Sequence, residues 1–157
     1  LFNQLEDKLG GRLGILVYAD GPTVSASADA LSLEQWRAVL TASLDMRFFC
    51  AAELARRCIA DGRKGAMLHL VSKRAEQSGV GLSASSSAAG GLATLSMSLA
   101  VEWGRDNLRS NLIVTRLMDE TSPDDVAALR SLGNLSAYYC SDYGSYITGS
   151  CIGIDDV

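Results

Sequence analysis

Four short apolar runs punctuate this chain: Ile15–Ala19, Ala66–Val71, Leu112–Thr115 and Cys151–Ile154. Between them lie longer stretches whose apolar residues recur at the 3.6-residue period of a helix. Strands that alternate with helices pair side by side in a parallel sheet through right-handed crossovers, so the pattern restricts the chain to an α/β class. Leu1, Phe2, Leu5 and Leu9 share one helical face, and Gly10-Gly11 stop that helix. Asp20-Gly-Pro22 reads as a turn, followed by a polar stretch from Thr23 to Leu31. Ser32-Leu-Glu-Gln35 fits a capping box, which satisfies free amides at a helix start. Trp36, Val39, Leu40, Leu44, Phe48, Ala52, Ala55 and Ile59 keep the helical period to about Ala60, with Gly62 as terminator. Ser72 to Ser83 reads as loop, and a small-residue helix is expected from Ala84 to Trp103, ending at Gly104. Pro123 suits a helix start before Asp124-Asp125, with Val126, Leu129 and Leu132 as its stripe. Leu135 to Cys140 reads as a separate short helical piece.

Size and charge narrow the function. The 157 residues suffice for one domain spanning 1–157. A chain of this length buries roughly 68–70% of its unfolded surface. Apolar residues make up 48%, which argues against disorder. With 14 Lys+Arg against 18 Asp+Glu, the net charge of −4 argues against nucleic acid or an acidic membrane surface as partner. No apolar run approaches the roughly 20 residues of a membrane span. The start, Leu1 to Asp7, has no signal-peptide character and no Met, so a native start upstream is the expectation. The four cysteines, Cys50, Cys58, Cys140 and Cys151, form no CxxC pair, and Cys50 and Cys58 fall on a helical pattern as small apolar fillers. His69 is the only histidine and has no ligand spacing around it, so no metal is expected. The expectation is a reduced, cytoplasmic protein.

Residue order over nearly the whole chain resembles the back half of the short-chain dehydrogenase/reductase superfamily. Ser98-Leu-Ala-Val-Glu-Trp-Gly104, Cys140-Ser-Asp142 and Ser145-Tyr-Ile-Thr-Gly149 carry the resemblance, with Trp36-Arg-Ala-Val-Leu40 and Leu108-Arg-Ser-Asn111. Gly11-Arg-Leu-Gly-Ile-Leu-Val17 is similar to the segment leading into the family's fourth strand, which normally ends in Asn-Asn-Ala-Gly beside the cofactor. Here Tyr18-Ala-Asp-Gly21 stand there, so Tyr18 and Gly21 are vestiges of a cofactor site and only the glycine survives. Gly65-Ala-Met-Leu-His-Leu-Val-Ser72 resembles the strand that ends at the catalytic serine. The family places its tyrosine thirteen residues later, which reaches Ser85, and counting back from Ser98-Leu-Ala100 also reaches Ser85, with Ala89 at the lysine. The relay asparagine corresponds to Ser43. The resemblance implies an α/β fold: a partial Rossmann-like doubly wound parallel sheet of about four strands with flanking helices, without the N-terminal nucleotide-binding half and its Gly-rich turn. The Pro-Gly that usually follows the third of these strands looks like Thr115-Arg116, the link from Arg116 to Pro123 is short, and the closing Asp-Gly-Gly is replaced by Ile154-Asp-Asp-Val157.

The family's tyrosine protonates a developing alkoxide with its pKa lowered by the lysine. A serine at 85 is a far weaker and shorter acid, and Ala89 supplies no charge. The vestigial tetrad is therefore Ser43, Ser72, Ser85 and Ala89, with no catalytic residue and no cofactor expected on this chain. Blander roles account for the other candidates. Ser85-Ser-Ser87 reads as a helix cap, and His69 as a structural residue of an apolar strand. Tyr138, Tyr139, Tyr143 and Tyr146 read as packing around the last strand and helix. Gly90-Gly91 with Ala88, Ala89 and Ala93 read as a close helix contact, and Gly10 to Gly14 as a turn rather than a phosphate loop.

In the resembled family the two long helices pair with those of a second subunit. Trp36, Leu40, Leu44, Phe48, Ala52, Ala93, Met97 and Val101 are the interface residues this implies. Ile15 to Ala19 is expected to form an apolar sheet edge that needs cover. The expectation is a non-catalytic subunit beside an intact NAD(P)-binding homologue in a hetero-oligomer. It resembles the degenerate subunit of the heteromeric hydroxyacyl-CoA dehydrogenase of anaerobic toluene and benzylsuccinate breakdown. Two alternatives are an atypical or incompletely represented short-chain oxidoreductase acting on a hydroxyacyl or keto substrate, and a binding module reusing the cleft around Ser43, Ser72 and Ser85.

Overall fold

A computed structural model describes residues 1–19, 24–119 and 125–154. The elements run α1 (Phe2–Leu9), β1 (Ile15–Tyr18), α2 (Leu33–Leu40), a π turn (Thr41–Asp45), α3 (Met46–Ala60), β2 (Gly65–Ser72), α4 (Lys73–Gln77), α5 (Ser83–Trp103), β3 (Leu108–Thr115), α6 (Val126–Cys140) and β4 (Cys151–Ile154). The four strands lie in chain order, β1-β2-β3-β4, and every pairing is parallel. The doubly wound α/β expectation holds.

The central strands are buried on both faces. On one face Met67 packs with Ala51, Leu54, Ala55 and Leu99, and beside it Val71, Leu112 and Val114 pack with Ala89 and Leu92. Helices α3 and α5 supply that layer. On the other face Leu68, Leu70 and Ile113 meet Leu132 and Tyr139, with α6 as the cover. Cys58 is a buried filler as expected, and Cys50 is half-buried. Gly65 opens β2 because nothing larger fits: a Cβ there would lie 2.8 Å from Leu108 Cδ2 and 3.2 Å from the Gly14 carbonyl oxygen.

Helix α1 is docked by Arg57. Its guanidinium donates to Glu6 at 2.7 Å, to Asn3 at 2.5 Å and to Glu53 at 2.7 Å, and lies 5.4 Å from the Phe2 ring centroid. The Leu13 amide, also bonded to Glu6, acts with Arg57 to hold that carboxyl below its ordinary pKa. The helix ends at Gly10, in the left-handed conformation at φ 62°. The capping box is present in full, with Ser32 Oγ accepting from the Gln35 amide and Gln35 accepting from the Ser32 amide.

Six readings change, the first being that Tyr143 and Tyr146 are exposed rather than packed around the last strand and helix. Strand β3 begins at Leu108, four residues before its apolar run, because its polar residues find distant partners. Arg109 donates to the carbonyls of Tyr139, Ser141 and Ile147, Ser110 pairs with Ser96, and Asn111 bonds Ile147 and Ser150. The expected loop after Ser72 contains α4, five residues long and therefore without a readable period. Helix α6 is one element through Leu135, since Gly133 in its middle leaves open space and the backbone bonds continue. The long helix after Ser32 is interrupted by the π turn. The Ser85–Ser87 cap is absent: the N-cap position is Leu82, which places these serines inside the helix rather than before it. The Asp20–Pro22 turn, the Pro123 helix start and the Asp155–Val157 end lie outside the described residues.

Among the described residues, β1 lies at one edge of the sheet. Leu16 and Tyr18 turn toward α3, whereas Ile15 and Val17 are 54% and 44% exposed.

Candidate functional site

Ser72 closes β2, and its hydroxyl is engaged twice. It donates to the Asp119 carboxylate and accepts from the Ala75 amide, capping α4. Asp119 also accepts from the Arg74 amide at 3.3 Å. The serine therefore ties β2, α4 and the segment after β3 together.

Ser85 lies in the first turn of α5, buried, with no partner for its hydroxyl, and the hydroxyls of Ser83 and Ser86 are likewise unpartnered. Ala89, one turn later, is buried in the apolar cluster of Val71, Leu92, Leu112 and Val114. A hydroxyl next to a methyl in apolar surroundings has no charge to lower its pKa. Ser43 is half-buried within the π turn, the kind of local irregularity that helices often carry at functional positions.

Tyr18, at the end of β1, is covered by a residue that sequence reasoning passed over. Arg47 from α3 sets its guanidinium carbon 4.6 Å from the Tyr18 ring centroid. Its Nη1 donates to the Leu70 carbonyl at 2.9 Å, and the residue is 4% exposed. Beside Tyr18 in register is His69, fully buried, with neither ring nitrogen hydrogen-bonded. Burial, and then the Arg47 charge, push the His69 pKa down to about 4, so the ring is neutral at neutral pH. The signal for Arg47 was present in the sequence: an arginine on the same helical stripe as Leu44, Ala51 and Leu54. Asp119 gave no such signal. Gly21 lies outside the described residues.

The residues expected at an interface fall on α2, the π turn, α3 and α5. Phe48, Met97 and Val101 are exposed, whereas Trp36, Leu40, Leu44, Ala52 and Ala93 are half-buried. A groove of about 950 Å³ runs between α3 and α5, lined by Leu44, Phe48, Phe49, Gly90, Gly91 and Thr94 among others. Trp36 sits apart from it, in a cavity of about 440 Å³ with Leu31, Leu33 and Ser83. A cleft of about 690 Å³ at the N-terminal ends of the strands holds Lys64, Arg109 and Asp142. Its charges are engaged: Lys64 pairs with Asp142 at 2.5 Å, and Arg109 is held by three carbonyls. Among the described residues no cluster of three or more His, Cys, Asp or Glu suits a metal, and no helix is long and apolar enough to cross a membrane.

Residues 1–128 match the family profile described as Enoyl-(Acyl carrier protein) reductase. A probable 2,4-dienoyl-CoA reductase of Bacillus subtilis (strain 168) is 29% identical, over 94% of this chain and 66% of the relative. Among solved structures, a 4-hydroxyisoleucine dehydrogenase complexed with NADH and succinate superposes with TM-score 0.84 at 26% identity, over 98% of this chain and 72% of that one. A short chain dehydrogenase of Bacillus anthracis str. 'Ames Ancestor' superposes with TM-score 0.81 at 29% identity, over 98% and 66%. The chain spans about two thirds or less of the length of the curated relatives it matches.

Proposed function

The chain belongs to the short-chain dehydrogenase/reductase superfamily of oxidoreductases, and from that premise we propose that it is a non-catalytic subunit of a heteromeric NAD(P)-dependent dehydrogenase. The observation that carries the reading is the state of the proton-relay positions. Ser72 is spent as a cap and as a donor to Asp119, Ser85 has an unpartnered serine hydroxyl, and Ala89 is a methyl in an apolar cluster. Proton transfer to an alkoxide needs a positioned acid with a tuned pKa, and these three residues supply none.

Two features of the residues present speak against a dinucleotide on this chain. At the end of β1 the Tyr18 ring is already stacked by Arg47, and at Ala89 no cation is offered to a ribose or phosphate. On this reading the NAD(P) belongs to the partner, an intact homologue in the cytoplasm, and α3 and α5 supply the contact. Their exposed Phe48, Phe49, Met97 and Val101 support that assignment.

The second reading is an atypical short-chain oxidoreductase acting on a hydroxyacyl or keto substrate. It is favoured by relatives whose names specify dehydrogenases and reductases, and by their greater length. One purification separates the two. The tagged chain is isolated from its native host, co-eluting proteins are identified by intact mass, and NAD(H) binding is assayed on the same sample. Stoichiometric recovery of a Tyr-x-x-x-Lys reductase that holds all the nucleotide is the expected result. A lone chain that binds NAD(H) and turns over a ketone overturns it.

A further inference from the structure

Two helices start at the same cavity. The space of about 440 Å³ is lined by Ser32 and Leu33, where α2 opens, by Ser83, the first residue of α5, and by Ala28, Leu31 and Trp36. Every lining residue is uncharged. The free amides at a helix start carry partial positive charge, so two such starts beside one space favour an anion there.

At α2 that field is already answered. Ser32 and Gln35 close a capping box, and Glu34 stands in the first turn. At α5 it is not. Leu82 supplies no side-chain cap, and no acidic residue lies in the first turn. The first helical bond runs from the Ser86 amide to the Leu82 carbonyl at 2.8 Å, which leaves the amides of Ser83, Ala84 and Ser85 without an acceptor in the helix.

The serine hydroxyls of this turn are unmet as well. Those of Ser83, Ser85 and Ser86 are shielded from solvent and have no hydrogen-bond partner, and Ser85 as a whole is 8% exposed. Side chains on a helix lean toward its N-terminus, and the third residue is the one that reaches back over the first turn in a capping box. Ser85 holds that third position, so its hydroxyl leans toward the unmet amides. Buried donors in folded proteins are nearly always matched, and a bound oxyanion would supply acceptors for these amides and hydroxyls together.

Ser83 joins this turn to the cavity, whose remaining wall is apolar: Trp36 and Leu31 are half-buried, and Leu33 is exposed. A head that accepts hydrogen bonds and a body that lies against an indole describe a small organic carboxylate. With no Lys or Arg in the lining, a dianion such as phosphate is poorly served. We propose that the cavity between the starts of α2 and α5 binds a small organic carboxylate, its head on the Ser83–Ser85 turn and its apolar body against Trp36. The site does not depend on the subunit reading.

The test titrates hexanoate into the purified full chain by calorimetry, with 1-hexanol and inorganic phosphate as comparison probes. Hexanoate is expected to bind once per chain with a Kd below about 1 mM, and the other two at least tenfold more weakly. Ser83→Asp and Leu33→Glu each place a carboxylate at one of the two helix starts, where it suits the helix and opposes the ligand. Each is expected to weaken hexanoate at least tenfold with no fall in melting temperature, and Ser85→Ala to weaken it about threefold to tenfold. No binding, equal affinity for hexanol, or undiminished affinity in either charge variant that folds overturns the proposal. Phosphate bound as tightly as hexanoate would make this a site for oxyanions at large, and the carboxylate assignment falls.

Discussion

Ser72 donates its hydroxyl to the carboxylate of Asp119, a residue 47 positions later in the chain. Because the same oxygen accepts from the Ala75 amide, the serine acts as a helix cap and a tie between crossovers. Ser72→Ala is expected to destabilise the chain by about 1 kcal/mol, the usual cost of a lost N-cap. Urea unfolding checks it. Turnover of the purified assembly should be unchanged by the substitution; a loss of turnover with stability intact would place Ser72 in the chemistry.

His69 predicts an acid limit. Its folded pKa lies near 4, below the ordinary 6.5, so the unfolded chain binds the proton more readily between those values. The stability contributed by keeping the ring neutral is present above about pH 6.5. It declines as pH falls toward 4, by on the order of 3 kcal/mol in total. Unfolding free energies measured across that window should show this slope, and His69→Leu should flatten it. An unchanged slope in the variant would assign the acid sensitivity elsewhere.

Arg47 is coupled to that titration. Arg47→Met removes a like charge that acts on His69 and should raise the histidine pKa, read from its ring proton shifts. The same change deletes the bond to the Leu70 carbonyl and the contact with Tyr18, which should cost roughly 2 kcal/mol. A histidine pKa that does not move would show that the guanidinium charge is not felt at the ring.

Two glycines should respond in opposite directions. Gly65→Ala drives a methyl into Leu108 and the Gly14 carbonyl, an overpacking expected to cost about 1–3 kcal/mol. Gly133→Ala, in the interior of α6 with open space around it, should stabilise by about 0.5–1 kcal/mol. Paired thermal melts decide both.

Much of this was legible in the sequence because most of the strands advertise themselves by apolar side chains on both faces. The exception marks the limit. Arg109, Ser110 and Asn111 look like loop until their partners are known, and most of those partners lie 30 to 39 residues away. A five-residue helix such as α4 contains too little periodicity to read. The serines of α5 misled for a related reason: a cap depends on which residue leaves the helix first, and the backbone chose Leu82. At the vestigial site, the elements that carry Ser72, Ser85 and Ala89 were legible: Ser72 closes β2, and the other two lie on α5. The partners that give the site its character, Asp119 and Arg47, reach it across the fold, and pairwise distances of that kind are not written in local spacing.

The chain-order sheet also has a meaning in time. Ile15 pairs with Ala66, so the first strand finds its hydrogen-bond partner only roughly fifty residues after it is made. Among the described strands no hairpin is available to start the sheet, since every neighbour is parallel and arrives through a helix. During synthesis the β1–β2 ladder therefore cannot form until α2 and α3 have been made. The same delay holds at each ladder of the sheet, since α5 separates β2 from β3 and α6 separates β3 from β4.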